Sequence, residues 1–93
     1  MPKKRKYRKI GSIPNVRLFK PFGNKVNHLD EIILTIDEFE ALRLSELNNL
    51  KQKQAANRMW ISQSTFNRLL KSARKKIALA IIAGKQIRIE SSK

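Results

Sequence analysis

The chain has no cysteine, so neither a disulfide framework nor a thiolate metal site can be built from it. That absence fits a reducing cytoplasm. No apolar run approaches the roughly 20 residues needed to cross a bilayer. The longest is "IALAIIA", residues 77–83. The charged N-terminus is not followed by an apolar segment, so no secretory leader is expected. His28 is the single histidine, and no glycine-rich phosphate loop is present. Aromatic residues make up only 6%, without the stacking platform used by single-strand readers. Acids are scarce as well: 7 Asp and Glu stand against 21 Lys and Arg, for a formal charge of +14.

What remains is a chain of 93 residues with 41% hydrophobic content, enough for one small core. Its charge is unevenly placed. Residues 1–25 hold nine cations and no acid, and residues 51–93 hold eleven cations against Glu90. Between them, residues 26–50 hold six acids against Arg43 alone. Two cationic flanks around an acidic middle suggest surfaces that face a polyanion. Nucleic acid is the leading candidate; an anionic membrane surface is the weaker one. The opening "PKKRK" also has the composition of a nuclear-import signal, although short basic runs are common in nucleic-acid binders generally.

All three prolines and two of the three glycines fall before residue 25. Residues 1–25 are therefore read as a basic N-terminal arm without regular helix, with a short extended piece at "VRLF". Residues 26–93 are read as the folded domain. Thr35 and Glu38 fit a capping box, followed by a helix over roughly 36–47 with Ile36, Phe39, Leu42 and Leu47 on its apolar side. Asp37 and Glu38 favour the positive end of that helix dipole, and Asn48-Asn49 stops it. A second helix is expected from about 51 to 59. A third runs from 63 to about 83 and stops at Gly84. "KQIRIE" alternates like a strand and is paired with 31–35. The fold expected is mainly α: three helices, a basic extended arm and one short two-stranded β pairing.

On a helical wheel, Phe66, Leu69, Leu70, Ala73, Ile77, Ala80 and Ile81 share one side of the third helix. Ser64, Asn67, Arg68, Lys71 and Lys75 share the other. Before it, Ala55 and Ala56 allow close helix approach, Met59 and Ile61 flank a turn, and Ser62 is a good N-cap. These positions, with Phe66 and Leu69 returning to the core, point to a helix-turn-helix, against the alternative of an ordinary helical hairpin. Trp60 is the dissenting residue, because that turn favours a positive φ and therefore glycine. Either the turn takes another conformation or Trp60 has a compensating role. The preferred expectation is that it caps the core; the alternative is that it lies at a DNA-facing edge.

Ser62, Gln63, Ser64, Asn67 and Arg68 are the candidate base readers. Glutamine and asparagine can pair bidentately with adenine, and arginine with guanine. Lys71, Arg74, Lys75 and Lys76 are the candidate phosphate contacts. Lys3, Lys4, Arg5, Lys6, Arg8 and Lys9 form a cationic arm suited to a minor groove, or to non-specific affinity.

The blocks "IPNVRLFKPFG", "EIILTIDEFEALRLSEL", "QKQAANRMWISQSTFNRLLKSARKKIA" and "GKQIRIE" resemble, in order, a family of small archaeal and bacterial proteins. It is catalogued as domain of unknown function 134 and predicted to bind DNA. The likeness extends from about residue 8 to 90. The central block is also similar to the helix-turn-helix of region four of sigma-seventy factors. The resemblance implies a DNA-binding, regulatory role and no particular target. The chain departs from the family at Trp60, where glycine is usual, and at Tyr7, where several members have cysteine. Some members carry a further C-terminal domain similar to those of the nitrogenase cofactor pathway, which these 93 residues do not include.

The function expected is sequence-specific binding of double-stranded DNA in transcription regulation, in the cytoplasm and on the nucleoid. RNA binding, ribosome association or non-specific nucleic-acid binding is the rival. A third class is an interaction module that meets RNA polymerase through the acidic face of the first helix. An enzyme is not expected. "HLDE" is at most a weak metal site, and Asp37, Glu38 and Glu40 read as a helix-start charge bias and a solvated face. No catalytic residue, metal ligand or cofactor is assigned, and no membrane partner. The apolar residues 77–83 go all the way round a helix, so they are either enclosed on both sides or form a homodimer seam. A homodimer is expected.

Overall fold

The computed structural model describes residues 8–22 and 30–90. Leu18–Phe19 forms a short strand, β1, within the stretch expected to be extended. Glu31–Leu34 forms β2, and Thr35 turns the chain into helix α1, Ile36–Leu42. The capping box is present. The Thr35 hydroxyl accepts from the Glu38 N–H at 3.1 Å, and the Glu38 carboxylate accepts from the Thr35 N–H at 2.9 Å. Each bond satisfies a donor that a helix start leaves without an intrahelical partner.

α1 does not end at Leu42 but widens into a π-helical turn over Arg43–Leu47. The Asn48 N–H closes it by donating to the Arg43 carbonyl at 3.0 Å. The span agrees with the helix expected over 36–47, but its last turn breaks the 3.6-residue period. The extra residue in the turn rotates the side chains beyond it by about 100°. Leu44 stays in the core, while Leu47, expected on the buried side, is turned out to solvent. Asn49 then adopts φ 58, a left-handed conformation that asparagine tolerates better than most residues.

Helices α2, Gln52–Met59, and α3, Gln63–Ala83, agree with the sequence reading to within a residue. The Gln54 side chain accepts from the Lys51 N–H at the start of α2. Ser62 caps α3 by accepting from the Thr65 N–H at 3.1 Å. Gly84, at φ 67, ends it in the left-handed conformation that costs glycine nothing.

Strand β3, Gln86–Ile89, lies at the centre of a three-stranded sheet ordered β1-β3-β2. It runs parallel to β2, with Glu31 opposite Gln86 and Leu34 opposite Ile89. It runs antiparallel to β1, with Leu18 opposite Arg88. The pairing expected between 31–35 and 86–90 is therefore there, with β1 as a third strand. Parallel neighbours need a crossover connection, and here the crossover is the whole three-helix unit.

The core has two lobes. One gathers Ala41, Leu44, Ala55, Ala56, Met59, Phe66 and Leu70, where the two alanines let α2 close on α3. The other gathers Leu34, Ile36, Ala73 and Ile89 between α3 and the sheet. Ile10 and Leu42 touch both. Burying Phe66 alone stabilises the fold by roughly 2–3 kcal/mol.

Beyond Leu47, two further expectations fail. The carboxylates of α1 are not a solvated face: Asp37, Glu38 and Glu40 are all buried. Each has a cation, Arg8 on Asp37, Lys76 on Glu38 at 2.8 Å and Arg43 on Glu40 at 2.8 Å. Pairing is what makes burial of such charges tolerable. The second failure is Ile81, expected within the buried stripe of α3 but 73% exposed. Leu79 and Ile82 are exposed too. The described residues enclose only one side of the last two turns of α3.

Candidate nucleic-acid interface

The turn between α2 and α3 sets the geometry. Met59 is fully buried at the end of α2, and the Ile61 N–H donates back to the Ala56 carbonyl at 3.1 Å. Between them Trp60 adopts φ 60 and ψ 40. The turn thus keeps the left-handed conformation for which glycine is usual, with a tryptophan in it. Such a conformation costs a bulky residue on the order of 1 kcal/mol. Trp60 is 56% exposed, so the expectation that it caps the core is overturned. Met59 and Ile61 occupy the inward positions, and the backbone at Trp60 directs the indole outward. The Lys9 ammonium lies 5.5 Å from the ring centroid. Its backbone N–H also donates to the Met59 carbonyl at 3.2 Å, so the N-terminal segment is held against this turn.

α3 leaves the turn with Ser62, Gln63 and Ser64 exposed at its start. The Ser62 hydroxyl donates to Thr65 Oγ1 at 2.9 Å, an additional local bond at the cap. Ser64, Arg68, Lys71 and Lys75 follow at spacings of four, three and four, which aligns them along one helix face. All four are exposed, and Arg68, Lys71 and Lys75 have no ion-pair partner among the described residues. Asn67 is half-buried at the edge of this face, where Gln52 Nε2 of α2 donates to its Oδ1 at 3.2 Å. That bond orients the amide.

The other two cations of the cluster are engaged elsewhere. Arg74 Nε donates to Glu46 at 2.8 Å, a bridge from α3 to the π-helical turn that stays half open to solvent. Lys76 points back into the fold, donating to the Ile33 carbonyl at 2.7 Å and to Glu38 at 2.8 Å. Burial opposes the charge on Glu38. Hydrogen bonds from Lys76, Ser72 and the Thr35 backbone, with the Lys76 charge, outweigh it and hold its pKa below the ordinary carboxylate range. Of the arm, Arg8 pairs with Asp37 and Lys9 lies over Trp60. Lys3, Lys4, Arg5 and Lys6 lie outside the described residues, as does His28.

The model of the family described as "Protein of unknown function DUF134" matches residues 1–93. The chain belongs to the DUF134 family. A UPF0251 protein of Caldanaerobacter subterraneus subsp. tengcongensis is 48% identical over 90 residues, covering 97% of this chain and 76% of the relative. A UPF0251 protein of Dehalococcoides mccartyi is 49% identical over 90 residues, covering 97% and 77%. One of Prosthecochloris aestuarii is 48% identical over 83 residues, covering 89% of this chain but 54% of its own length. No solved structure matches the chain.

In this DUF134 chain three carboxylates crowd the start of α1, yet each is tied to a cation of its own. That arrangement argues against acid–base chemistry there. Among the described residues no group of three His, Asp or Glu side chains could hold a metal ion. No helix among them is long and apolar enough to cross a membrane. Sequence reasoning misses one residue of the candidate interface and the placement of another. Gln52, which orients Asn67, is fifteen positions away with no local signal to link them. Lys9 reads in the sequence as one arm cation among six, and its seat on the turn depends on tertiary packing.

Proposed function

We propose that this DUF134 chain is a sequence-specific double-stranded-DNA-binding protein that regulates transcription. α2, the turn and α3 act as a helix-turn-helix, with residues 63–76 of α3 in the major groove. A single observation carries this reading. One exposed face of α3 begins with uncharged hydrogen-bonding groups and continues with cations that have no ion-pair partner among the described residues. A merely solubilising face has no reason to hold charge back until Arg68.

Ser62, Gln63, Ser64 and Asn67 meet base edges, with Asn67 aimed by Gln52, and Arg68 reaches guanine O6 and N7. Lys71 and Lys75 meet phosphates. Arg74 and Lys76 join them only in competition with Glu46 and Glu38. Lys3, Lys4, Arg5 and Lys6 extend the contact from the turn, where Lys9 is seated. RNA polymerase, as a further partner, would meet a face of α1 whose carboxylates are engaged in internal ion pairs, so duplex DNA is the first partner of this reading. The uncovered end of α3, with Leu79, Ile81 and Ile82, serves as a homodimer seam, matching the pairwise binding usual for readers with one motif. Binding to the nucleoid in the cytoplasm follows from this role.

Selection from a random duplex library at near-physiological salt tests the proposal. The expected result is a recovered motif, palindromic with half-sites about one helical turn apart. Enrichment of nothing, with binding that collapses as salt rises, identifies a non-specific polyanion binder and favours RNA as the ligand.

A further inference from the structure

We infer that Trp60 is a DNA-contacting residue, packing its indole against the deoxyribose–phosphate rail at the edge of the groove that α3 enters. The contact rests on the duplex-DNA reading above. Three observations converge on it. The first is the backbone: a tryptophan occupies φ 60, a conformation that strains it and suits glycine. Strain kept at a turn that glycine would relieve calls for a gain elsewhere. The second is exposure, since the indole is more than half open and contributes little to the core. The third is charge. Lys9 places its ammonium over the ring, and Arg58, two residues back on α2, is exposed.

An aromatic plate beside cations, two residues from the N-cap of the proposed recognition helix, matches the chemistry of a nucleic-acid backbone. The sugar offers an apolar face and the phosphate an anion. The ring meets the first while Lys9 meets the second. A protein partner of ordinary acidic or apolar character would use one half of this pair and leave the other without a role. Because a sugar carries no sequence information, the contact adds affinity on every duplex alike.

The chain has one tryptophan, so its fluorescence reports on this position alone. Labelled duplex is titrated with wild-type protein, Trp60→Gly and Trp60→Phe, following anisotropy and indole emission over a series of salt concentrations. Wild-type emission is expected to change with the same midpoint as the anisotropy. Trp60→Gly, which relieves the strain at the turn, is expected to fold and to bind about tenfold more weakly. That loss should be equal on selected and scrambled duplexes, with an unchanged salt slope, since no charge is removed. Trp60→Phe should keep most of the affinity. Wild-type binding with silent emission, or a Trp60→Gly variant that binds as well as wild type, overturns the Trp60 contact and leaves the duplex reading standing. Wild-type protein that binds no duplex at any salt overturns both.

Discussion

Lys76 holds Glu38 at 2.8 Å and the Ile33 carbonyl at 2.7 Å, and so ties the middle of α3 to the first turn of α1 and to the outer edge of β2. Its neighbour Lys75 is exposed and has no ion-pair partner among the described residues. Two adjacent lysines in one basic run therefore have different work. Lys76→Ala is expected to lower Tm strongly, because it leaves a buried carboxylate without its cation, at a cost of about 3 kcal/mol. Lys75→Ala is expected to leave Tm unchanged, weaken duplex binding and reduce the salt slope by about 1. Thermal melts and salt titrations of the two variants separate the roles.

The same pair makes the fold sensitive to acid. Glu38 has its pKa held below the usual value in the folded state, so the unfolded chain takes up the proton first as pH falls. Its contribution is complete above the ordinary carboxylate pKa of 4.5 and is lost as pH drops through the lowered one. Glu38→Gln, which keeps hydrogen bonding but not charge, should be less stable than wild type at neutral pH. The gap should narrow as pH falls below the ordinary carboxylate value. Melts across that range check both the sign and the window.

Asn67→Ala and Arg68→Ala are expected to cost about 1–3 kcal/mol on the preferred site and to relax sequence preference. Gln52→Ala should reproduce part of the Asn67 effect without touching DNA, because it frees the amide that Gln52 orients. A second round of duplex selection with each variant reads this out. Uniform weakening on all sequences would assign these residues to the backbone instead.

Wild-type protein at high micromolar concentration is expected to scatter light as a dimer. Ile81→Glu combined with Ile82→Glu should yield monomer with its helical content intact, since both side chains are exposed in the single chain. A wild-type monomer would remove the seam from the proposal.

Much of this architecture is legible in the sequence because it is local. Thr35 and Glu38 lie three residues apart, Ser62 and Thr65 likewise, and Gly84 comes directly after the helix it ends. Short-range bonds of this kind leave a pattern in the sequence. The 3.6-residue period also places Ser64, Arg68, Lys71 and Lys75 on the solvent side of α3. The features that escape are set by distance along the chain. The partners Lys76 for Glu38 and Arg8 for Asp37 are 38 and 29 positions away, so these two carboxylates look solvated in the sequence. The π-helical turn shifts the phase of α1 after Arg43, and no periodic reading can carry Leu47 across it. Trp60 stands out as anomalous in the sequence, but its outward direction depends on Met59 and Ile61 filling the inward positions.

The order of the sheet has a consequence for how the chain is made. β1 and β2 never bond to each other; each meets only β3, and β3 is synthesised after both and after all three helices. Leu18–Phe19 and Glu31–Leu34 therefore have no strand partner in this sheet until residues 86–89 have been made. A truncation before residue 86 would take the partner from both strands at once.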